Sequence, residues 1–382
     1  MVEESYEKYK EWKKKENRKI YIYFILGIIV FFLIKKFLVT REMIQRWGYR
    51  LGAVGIYLIV FYIFLIYFYK WYIRTNYKDR INPVQRFFMR FYRNKLATLG
   101  LFIGLTVIVM AVFAPEIAIY PREYSAEWKN FALLPPCLEH PFGTVSSGED
   151  LFSLIVYGSR ISLTLGLAVV IVRSIIGISL GAISGYFGGA VDKFLNYVND
   201  VLMSFPFLIL ILVIVGAMRA NPQLTATMES IGKTIGIDAH LLMVFVALSI
   251  FGWTGTFRVV RGQVLSIREK DYVMAAKSLG ASTSRIIFKH IAINTLAPVI
   301  VLMTLGMGGV ILTESGLSFL GFGASVTTPS WGRLLSEGNS FVTQPHFLYL
   351  VTFPGVAIFL TILAFTTMGD GVRDAIDPRM KM

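Results

Sequence analysis

The sequence predicts an all-α polytopic membrane protein, and three observations support that fold class. Of its 382 residues, 55% are hydrophobic and the mean hydropathy is +0.61, whereas soluble domains are about 45–50% apolar. Apolar stretches long enough to cross a bilayer recur along the chain. Lys and Arg are concentrated in some of the connecting segments and scarce in others, which is typical of proteins that insert with their basic loops inside.

Eight apolar stretches approach or exceed the roughly 18 residues that a membrane-spanning helix needs. They lie at about 20–38, 51–69, 96–117, 161–185, 200–218, 240–260, 291–313 and 347–368. A large soluble protein with buried helices is disfavoured, because too little polar sequence remains to cover all eight. We therefore expect a core of six spans preceded by two extra N-terminal spans.

Three domains follow from this pattern. Residues 1–80 are predicted to form a charged cytoplasmic tail and a two-helix membrane hairpin. Residues 81–160 hold the first core span and a long outer loop, in which a small amphipathic helix could lie. Residues 161–382 form the rest of the core and contain a cytoplasmic loop at 266–290.

The N-terminal hairpin carries an unusual charge pattern. Its linker, Lys35–Arg50, has five Lys or Arg residues and one acid, and it would lie outside if both stretches cross, against the usual bias. A surface hairpin, a single crossing or a topology set by the later spans would each remove the conflict. We predict two true spans, because both stretches are long enough.

The net charge of +14 could suggest nucleic-acid binding, but its distribution indicates a membrane topology instead. The stretch 70–95 carries eight Lys or Arg residues and 258–290 carries seven, whereas 116–160 carries three together with six acids. This asymmetry places the first two stretches, and both chain termini, on the cytoplasmic side. Basic segments beside a membrane favour anionic lipid headgroups, so we expect a lipid membrane and no nucleic acid as partner.

A polar, net-positive insert, DYVMAAKSLGASTSRIIFKHIAIN, occupies residues 271–294 between two apolar stretches. We expect two helices here. Gly280 can end the first in the left-handed conformation, and Ser282 or Thr283 can cap the second.

The same insert is a candidate docking element. Ala275, Ala276 and Gly280 place small residues about one helical turn apart, which lets another helix or a protein groove approach the backbone closely. A chain that only had to turn around would need a few residues, so a segment of more than twenty indicates that a cytoplasmic partner engages it.

Two charged residues lie within or near apolar stretches. Arg173 is near the middle of 161–185, where a charge costs about 2.5–3.5 kcal/mol and normally faces a partner or a wet cavity. It could pair with a substrate carboxylate, take part in a structural ion pair, or lie nearer the surface if the span is shorter. Glu314 could line a substrate path together with Arg173, or it could mark a hydrated helix end. The two residues lie at different depths, which argues against a direct pair between them.

Catalytic and metal-binding patterns are missing from the sequence. There is no G-x-x-x-x-G-K-[ST] phosphate loop and no H-E-x-x-H helix. Cys137 is the single cysteine, and the four histidines are scattered, so neither a disulfide within the chain nor a metal site is expected. We therefore predict no enzyme activity and no cofactor or metal, and any nucleotide must be held by another chain.

The insert resembles the EAA motif of ABC importer permeases, with Met274 where that family has Glu and Ile293 where it has Pro. Further segments resemble the C-type permease of dipeptide and oligopeptide importers. In the family's order they are Arg93–Lys95, Phe113–Pro115, His140–Thr144, Tyr157–Leu163, Gly185–Gly189, Leu317–Gly321, Pro329–Gly332 and Gly369–Arg379. The outer loop departs after Thr144, and residues 1–80 have no counterpart in the usual six-span subunit.

This resemblance implies a permease subunit of the inner, cytoplasmic membrane. Its partners would be a second homologous permease, two ATP-binding subunits and an extracytoplasmic solute-binding protein. Ala275, Ala276 and Gly280 would form the coupling helix, with Arg285 and Lys289 as polar contacts. Nickel and oligosaccharides are alternative cargoes within the family, and a membrane receptor or scaffold is the alternative outside it.

Overall fold

The structure is a computed structural model that describes residues 83–122, 126–325 and 328–376, all within one compact unit, Phe61–Met382. The two predicted N-terminal spans lie outside the described residues. The helices are α1 (Pro83–Arg93), α2 (Lys95–Val112), α3 (Ala114–Ile117), α4 (Leu151–Phe187), α5 (Gly189–Met203), α6 (Phe207–Ala220), α7 (Pro222–Ile235), α8 (Ala239–Phe251), α9 (Thr254–Ile267), α10 (Asp271–Ser278), α11 (Thr283–Arg285), α12 (Ala292–Phe319), α13 (Trp331–Asn339) and α14 (Tyr349–Ile376).

Short 3₁₀ helices lie at Ala126–Phe131 and Pro345–Phe347, and a π-helix lies at Ile286–Ile291. The first of them stands within the predicted long outer loop. The described residues contain no β-strand, so the predicted all-α fold class is confirmed.

Five helical segments of the described residues are long and apolar enough to cross a membrane: α2, α4, α8 with α9, α12 from Thr295, and α14. A sixth crossing exists if α5 and α6 count as one span. That pair bends by 88° at a break that contains Pro206, which cannot donate a backbone hydrogen bond. The predicted span 200–218 is therefore not one continuous helix, because the chain turns sharply inside it.

Helix α4 is longer than the predicted span 161–185 and begins ten residues earlier, at Leu151. Its 37 residues extend over about 55 Å. Asp150 starts the helix by accepting a hydrogen bond from the backbone N–H of Ser153 at 2.8 Å. The first turns of α4 carry polar side chains, and these find hydrogen-bond partners within the chain. Arg160 donates to the carbonyl oxygens of Ala111 and Val112 at 3.0 and 2.9 Å. The predicted domain boundary at residue 160 falls inside this continuous helix.

The main hydrophobic core surrounds α4, with α8, α12, α13 and α14 packed around it. Helix α13 lies between the predicted spans 291–313 and 347–368. Its Trp331 is fully buried and donates from Nε1 to the carbonyl oxygen of Ile155 on α4 at 2.9 Å. This end of the bundle is called the far side below, and the end that carries α10 is called the α10 side.

Candidate functional site

The insert at 271–294 folds as predicted into a short helix, α10, a tight turn and a second helical segment. Gly280 has a φ of +79°, and its N–H donates to the carbonyl of Lys277 while that of Ala281 donates to Ala276, both at 3.0 Å. This pair of bonds closes a helix through a left-handed residue, a position that favours glycine. Ser282 caps the next segment by accepting from the N–H of Arg285 at 3.4 Å.

A single buried side chain of α10 fixes the helix to the rest of the protein. Val273 is 3% exposed and belongs to an apolar cluster on the α10 side that includes residues of α4, α9, α12 and the π-helix. The members of this cluster are Ala182, Val260, Val264, Ile267, Val273, Ile286, Ile291 and Val299. Motion of α10 is therefore tied to the ends of these helices.

The side of α10 that carries Tyr272, Ala275 and Leu279 is uncovered, and Met274 is exposed on another side of the helix. Leu279 is 88% exposed, Met274 51% and Tyr272 45%, and Ala275 is exposed between them. Six of the eight residues of α10 are exposed, which would be unremarkable if all were polar. Three large apolar side chains on a loop outside the candidate spans indicate a binding surface.

The sequence prediction named Ala275, Ala276 and Gly280 in this loop and missed Leu279. A usable signal was present, because Tyr272, Ala275, Ala276 and Leu279 follow the i, i+3, i+4, i+7 spacing of a helix that enters a groove. Ala276 is half-buried and Gly280 is exposed. A Cβ added at Gly280 would meet nothing within 4 Å, so within this chain the glycine is required by its backbone angle and not by a close contact.

The two predicted polar contacts of the loop are separate from this apolar face. Arg285 is exposed at the end of α11. The side chain of Lys289 lies outside the described residues, although its backbone is part of the π-helix.

Arg173 is a half-buried cation on α4 that forms no hydrogen bond or ion pair with the described part of the chain. Its guanidinium lies directly against Gly306 of α12, where an added Cβ would overlap it, and its Cδ lies 3.4 Å from the Cβ position of Gly252 between α8 and α9. The Arg173 guanidinium therefore fits at this position because Gly306 has no side chain.

Glu314, the second predicted charged residue, lies elsewhere on α12. It follows Gly306 by eight residues, about 12 Å along the helix, so the guanidinium and the carboxylate are not paired. Glu314 is 1% exposed, not hydrated as the alternative interpretation expected. Oε1 accepts from Ser318 Oγ at 2.8 Å, while Oε2 is buried without a partner among the described residues.

Within the part of the chain that the structure describes, no three His, Cys, Asp or Glu side chains are placed to hold a metal ion. Two features stand out. The α10 loop is anchored by Val273 and exposes apolar side chains, and Arg173 is a cation between the long helices that has no ion pair with the described residues.

Comparison with known proteins accounts for most of the chain. Residues 177–382 match the family of the binding-protein-dependent transport system inner membrane component. Residues 82–136 match the N-terminal TM domain of oligopeptide transport permease C. Both matches lie after the first 80 residues.

Three relatives have similar coverage. The dipeptide transport system permease protein DppC of Alkalihalophilus pseudofirmus is 38% identical over 301 residues, which is 79% of this chain and 91% of the relative. The oligopeptide transport system permease protein OppC of Bacillus subtilis is 36% identical over 293 residues, 77% and 88% of the two chains. The glutathione transport system permease protein GsiD of Escherichia coli O157:H7 is 35% identical over 300 residues, 78% and 91%. The chain therefore belongs to the family of binding-protein-dependent transport system inner membrane components, and to its dipeptide and oligopeptide permease branch, as the ordered motifs predicted.

Proposed function

We propose that this chain is one of two homologous permeases in an ATP-driven importer of dipeptides and oligopeptides. The two permeases form the translocation path between them, two ATP-binding subunits drive it, and an extracytoplasmic solute-binding protein delivers the cargo. The names of the relatives support this cargo, since dipeptides, oligopeptides and glutathione are all short peptides.

The exposed apolar face of α10 is the observation that carries the proposal. Leu279, Met274 and Tyr272 are uncovered although Val273, on the same helix, is buried. A helix anchored by one side and apolar on another fits a groove in a partner protein. We assign that groove to an ATP-binding subunit and the α10 side to the cytoplasm, together with both chain termini. Arg285 and Lys289 would then supply polar contacts at the rim.

Arg173 is proposed to line the path. A cation within a span that has no partner in its own chain is available for a substrate carboxylate, and every unblocked peptide carries one at its C-terminus. Glu314 remains a weaker candidate for the path, because its carboxylate is enclosed by its own chain and would reach a substrate only after α12 and α13 separate.

The partner assignment is tested by purifying the tagged protein from its native host in mild detergent and identifying what accompanies it. We expect a second permease and ATP-binding subunits. Leu279→Ser should lose the ATP-binding subunits and retain the second permease, because it removes the apolar anchor without disturbing the left-handed turn at Gly280. Ile231→Ser is the matched control, since Ile231 is an exposed apolar residue, 42% accessible, on α7.

Two outcomes would contradict the assignment. Recovery of the protein alone, or with unrelated soluble partners, would favour the receptor or scaffold interpretation. Equal recovery of ATP-binding subunits by Leu279→Ser and the unchanged protein would remove α10 from the interface. Gly280→Trp, which should also abolish transport, is less specific because a φ of +79° strains any large side chain.

The cargo is tested by uptake into vesicles that hold the purified complex. Peptides with a free C-terminal carboxylate are expected to enter, and Arg173→Gln should reduce their uptake about tenfold or more, as expected for the loss of a charge-assisted contact. C-terminally amidated peptides should be much less affected by the same change. Uptake of nickel or oligosaccharides with no peptide uptake would replace the cargo and keep the family.

A further inference from the structure

Helices α4 and α9 touch through their backbones along one line of glycines. A Cβ added at Gly177 would lie 2.6 Å from Thr256 Cβ, one at Gly181 would lie 2.9 Å from the carbonyl oxygen of Phe257, and one at Gly185 would lie 2.8 Å from Val264 Cβ. The three glycines are four residues apart and therefore share one face of α4. Close approach of this kind gives two helices a long, well-packed contact.

The α10 end of that contact is closed by a partly buried ion pair. Arg261 of α9 donates two hydrogen bonds to the Asp192 carboxylate of α5, from Nε at 2.6 Å and from Nη2 at 2.7 Å. Ser184 of α4 donates to the same carboxylate at 2.5 Å, and Asn196 donates at 2.8 Å. One carboxylate therefore joins α4, α5 and α9, in the two-point geometry that gives arginine pairs their strength and direction.

A second arginine binds the last turn of α4. Arg268, directly after α9, donates from Nη1 to the carbonyl oxygen of Gly185 at 2.9 Å. The last carbonyls of a helix have no partner within it, and a cation there is also favoured by the helix dipole. Three residues later α10 begins, so the chain enters the loop immediately after this contact.

We infer that α4 and α9 move as one rigid body, and that Asp192 and Arg261 are the positioning residues that hold the α10 end of this body together with α5. The inference rests on the proposed function, in which the loop is displaced by an ATP-binding subunit. Displacement of α10 is then passed to α9, across the glycine contact to α4, and along α4 to the far side. There Trp331 of α13 hydrogen-bonds to Ile155.

The test uses the assembled importer in vesicles and measures peptide moved per ATP hydrolysed. Asp192→Asn keeps the size of the side chain and removes its charge, and it should lower this ratio about tenfold, at the upper part of the range for residues that carry coupling. Hydrolysis itself should continue at a comparable rate. Asp200→Asn is the matched control, because Asp200 is on the same helix and pairs with Arg258 of α9 at 2.9 Å, yet its side chain is 64% exposed.

Asp200→Asn should leave the ratio within about twofold, as expected of an exposed ion pair. Two results for Asp192→Asn would overturn the inference. If peptide moved per ATP hydrolysed is unchanged at normal rates, the residue has no role in coupling. If transport and hydrolysis fall in proportion, the residue acts only on folding. If Asp192→Asn does not assemble, Arg261→Lys decides the question. It keeps the charge but loses the two-point grip, and it should lower the ratio by a smaller factor.

A second measurement addresses the rigid body directly. In a Cys137→Ser background, Ile183→Cys on α4 and Gln263→Cys on α9 place spin labels at two exposed positions. The distance between the two labels should be the same with and without bound ATP, because the two helices do not move apart. A change in that distance would show relative motion and overturn the inference. A complex that hydrolyses ATP but moves no peptide before any substitution would instead contradict the proposed function.

Discussion

The two ends of α4 are held by different kinds of contact. At the far side the contacts of Trp331 and Asp150 are fully buried: Trp331 is 0% exposed and its indole donates to a backbone carbonyl, and Asp150 is 3% exposed at the helix start. At the α10 side the close glycine contact is followed by arginine pairs that remain partly accessible, with Arg261 29% and Asp192 17% exposed.

This difference indicates what each end contributes. Buried contacts stabilise by removing surface and satisfying polar groups, and their loss is felt as unfolding. Charged pairs near water contribute less to stability, but their strength depends on geometry and direction. The far end should therefore govern stability, and the α10 end should govern how motion is transmitted. The following substitutions test that division, from the largest expected effect to the smallest.

Trp331→Ala should be the most destabilising of these changes. It empties a fully buried site on α13 and removes the hydrogen bond to Ile155. The expected loss is about 3–5 kcal/mol in the free energy of unfolding, measured by titration with SDS in mixed micelles. Trp331→Phe, which keeps most of the volume, should cost much less. Equal costs for the two would mean that the hydrogen bond, and not the packing, holds α13 in place.

Gly181→Leu should destabilise by about 1–3 kcal/mol, because a side chain there overlaps the backbone of α9. Gly262→Leu is the control: Gly262 is on α9 itself, but an added Cβ meets nothing within 4 Å. That change should be neutral or slightly stabilising, since leucine favours a helix by about 0.5–1 kcal/mol over glycine. Similar losses for both variants would contradict the close contact between α4 and α9.

Local features of the sequence were predictable and distant pairings were not. Gly280 and Ser282 were identified because helix ends depend on residues within a turn of each other. Gly177, Gly181 and Gly185 stand at visible four-residue spacing, yet their partners Thr256 and Val264 carry no pattern that identifies them from one sequence.

The same limit applies to the spans. Hydropathy over 200–218 cannot show that the chain bends at Pro206. Trp331 lies outside every predicted span, and its stabilising partner, Ile155, lies 176 residues away in sequence. Arg173 was singled out by its charge, but only the structure shows that Gly306 leaves space for it.

Asp150→Ala should cost about 0.5–2 kcal/mol, the usual range for losing a helix cap, and its effect should lie near the upper end. The Asp150 carboxylate accepts from Ser153 N at 2.8 Å and Ser153 Oγ at 2.7 Å, and it contacts His140 Nδ1 at 3.0 Å. Asp238→Ala, at the start of α8, removes a cap whose bond to Leu241 N is 3.0 Å long, and it should cost less. A larger cost for Asp238→Ala would show that the extra partners of Asp150 add no stability.

Asp200→Asn should change the free energy of unfolding least, by less than about 1 kcal/mol, because both partners of the pair are more than half exposed. The effect should shrink further in high salt, which screens exposed charges. Asp192→Asn, measured beside it, should show a larger cost that salt alters less, because its partners are more buried and include Ser184 and Asn196. If both variants responded alike to salt, the Asp192 pair would be an ordinary surface contact, and the distinction between the two ends of α4 would lose its physical basis.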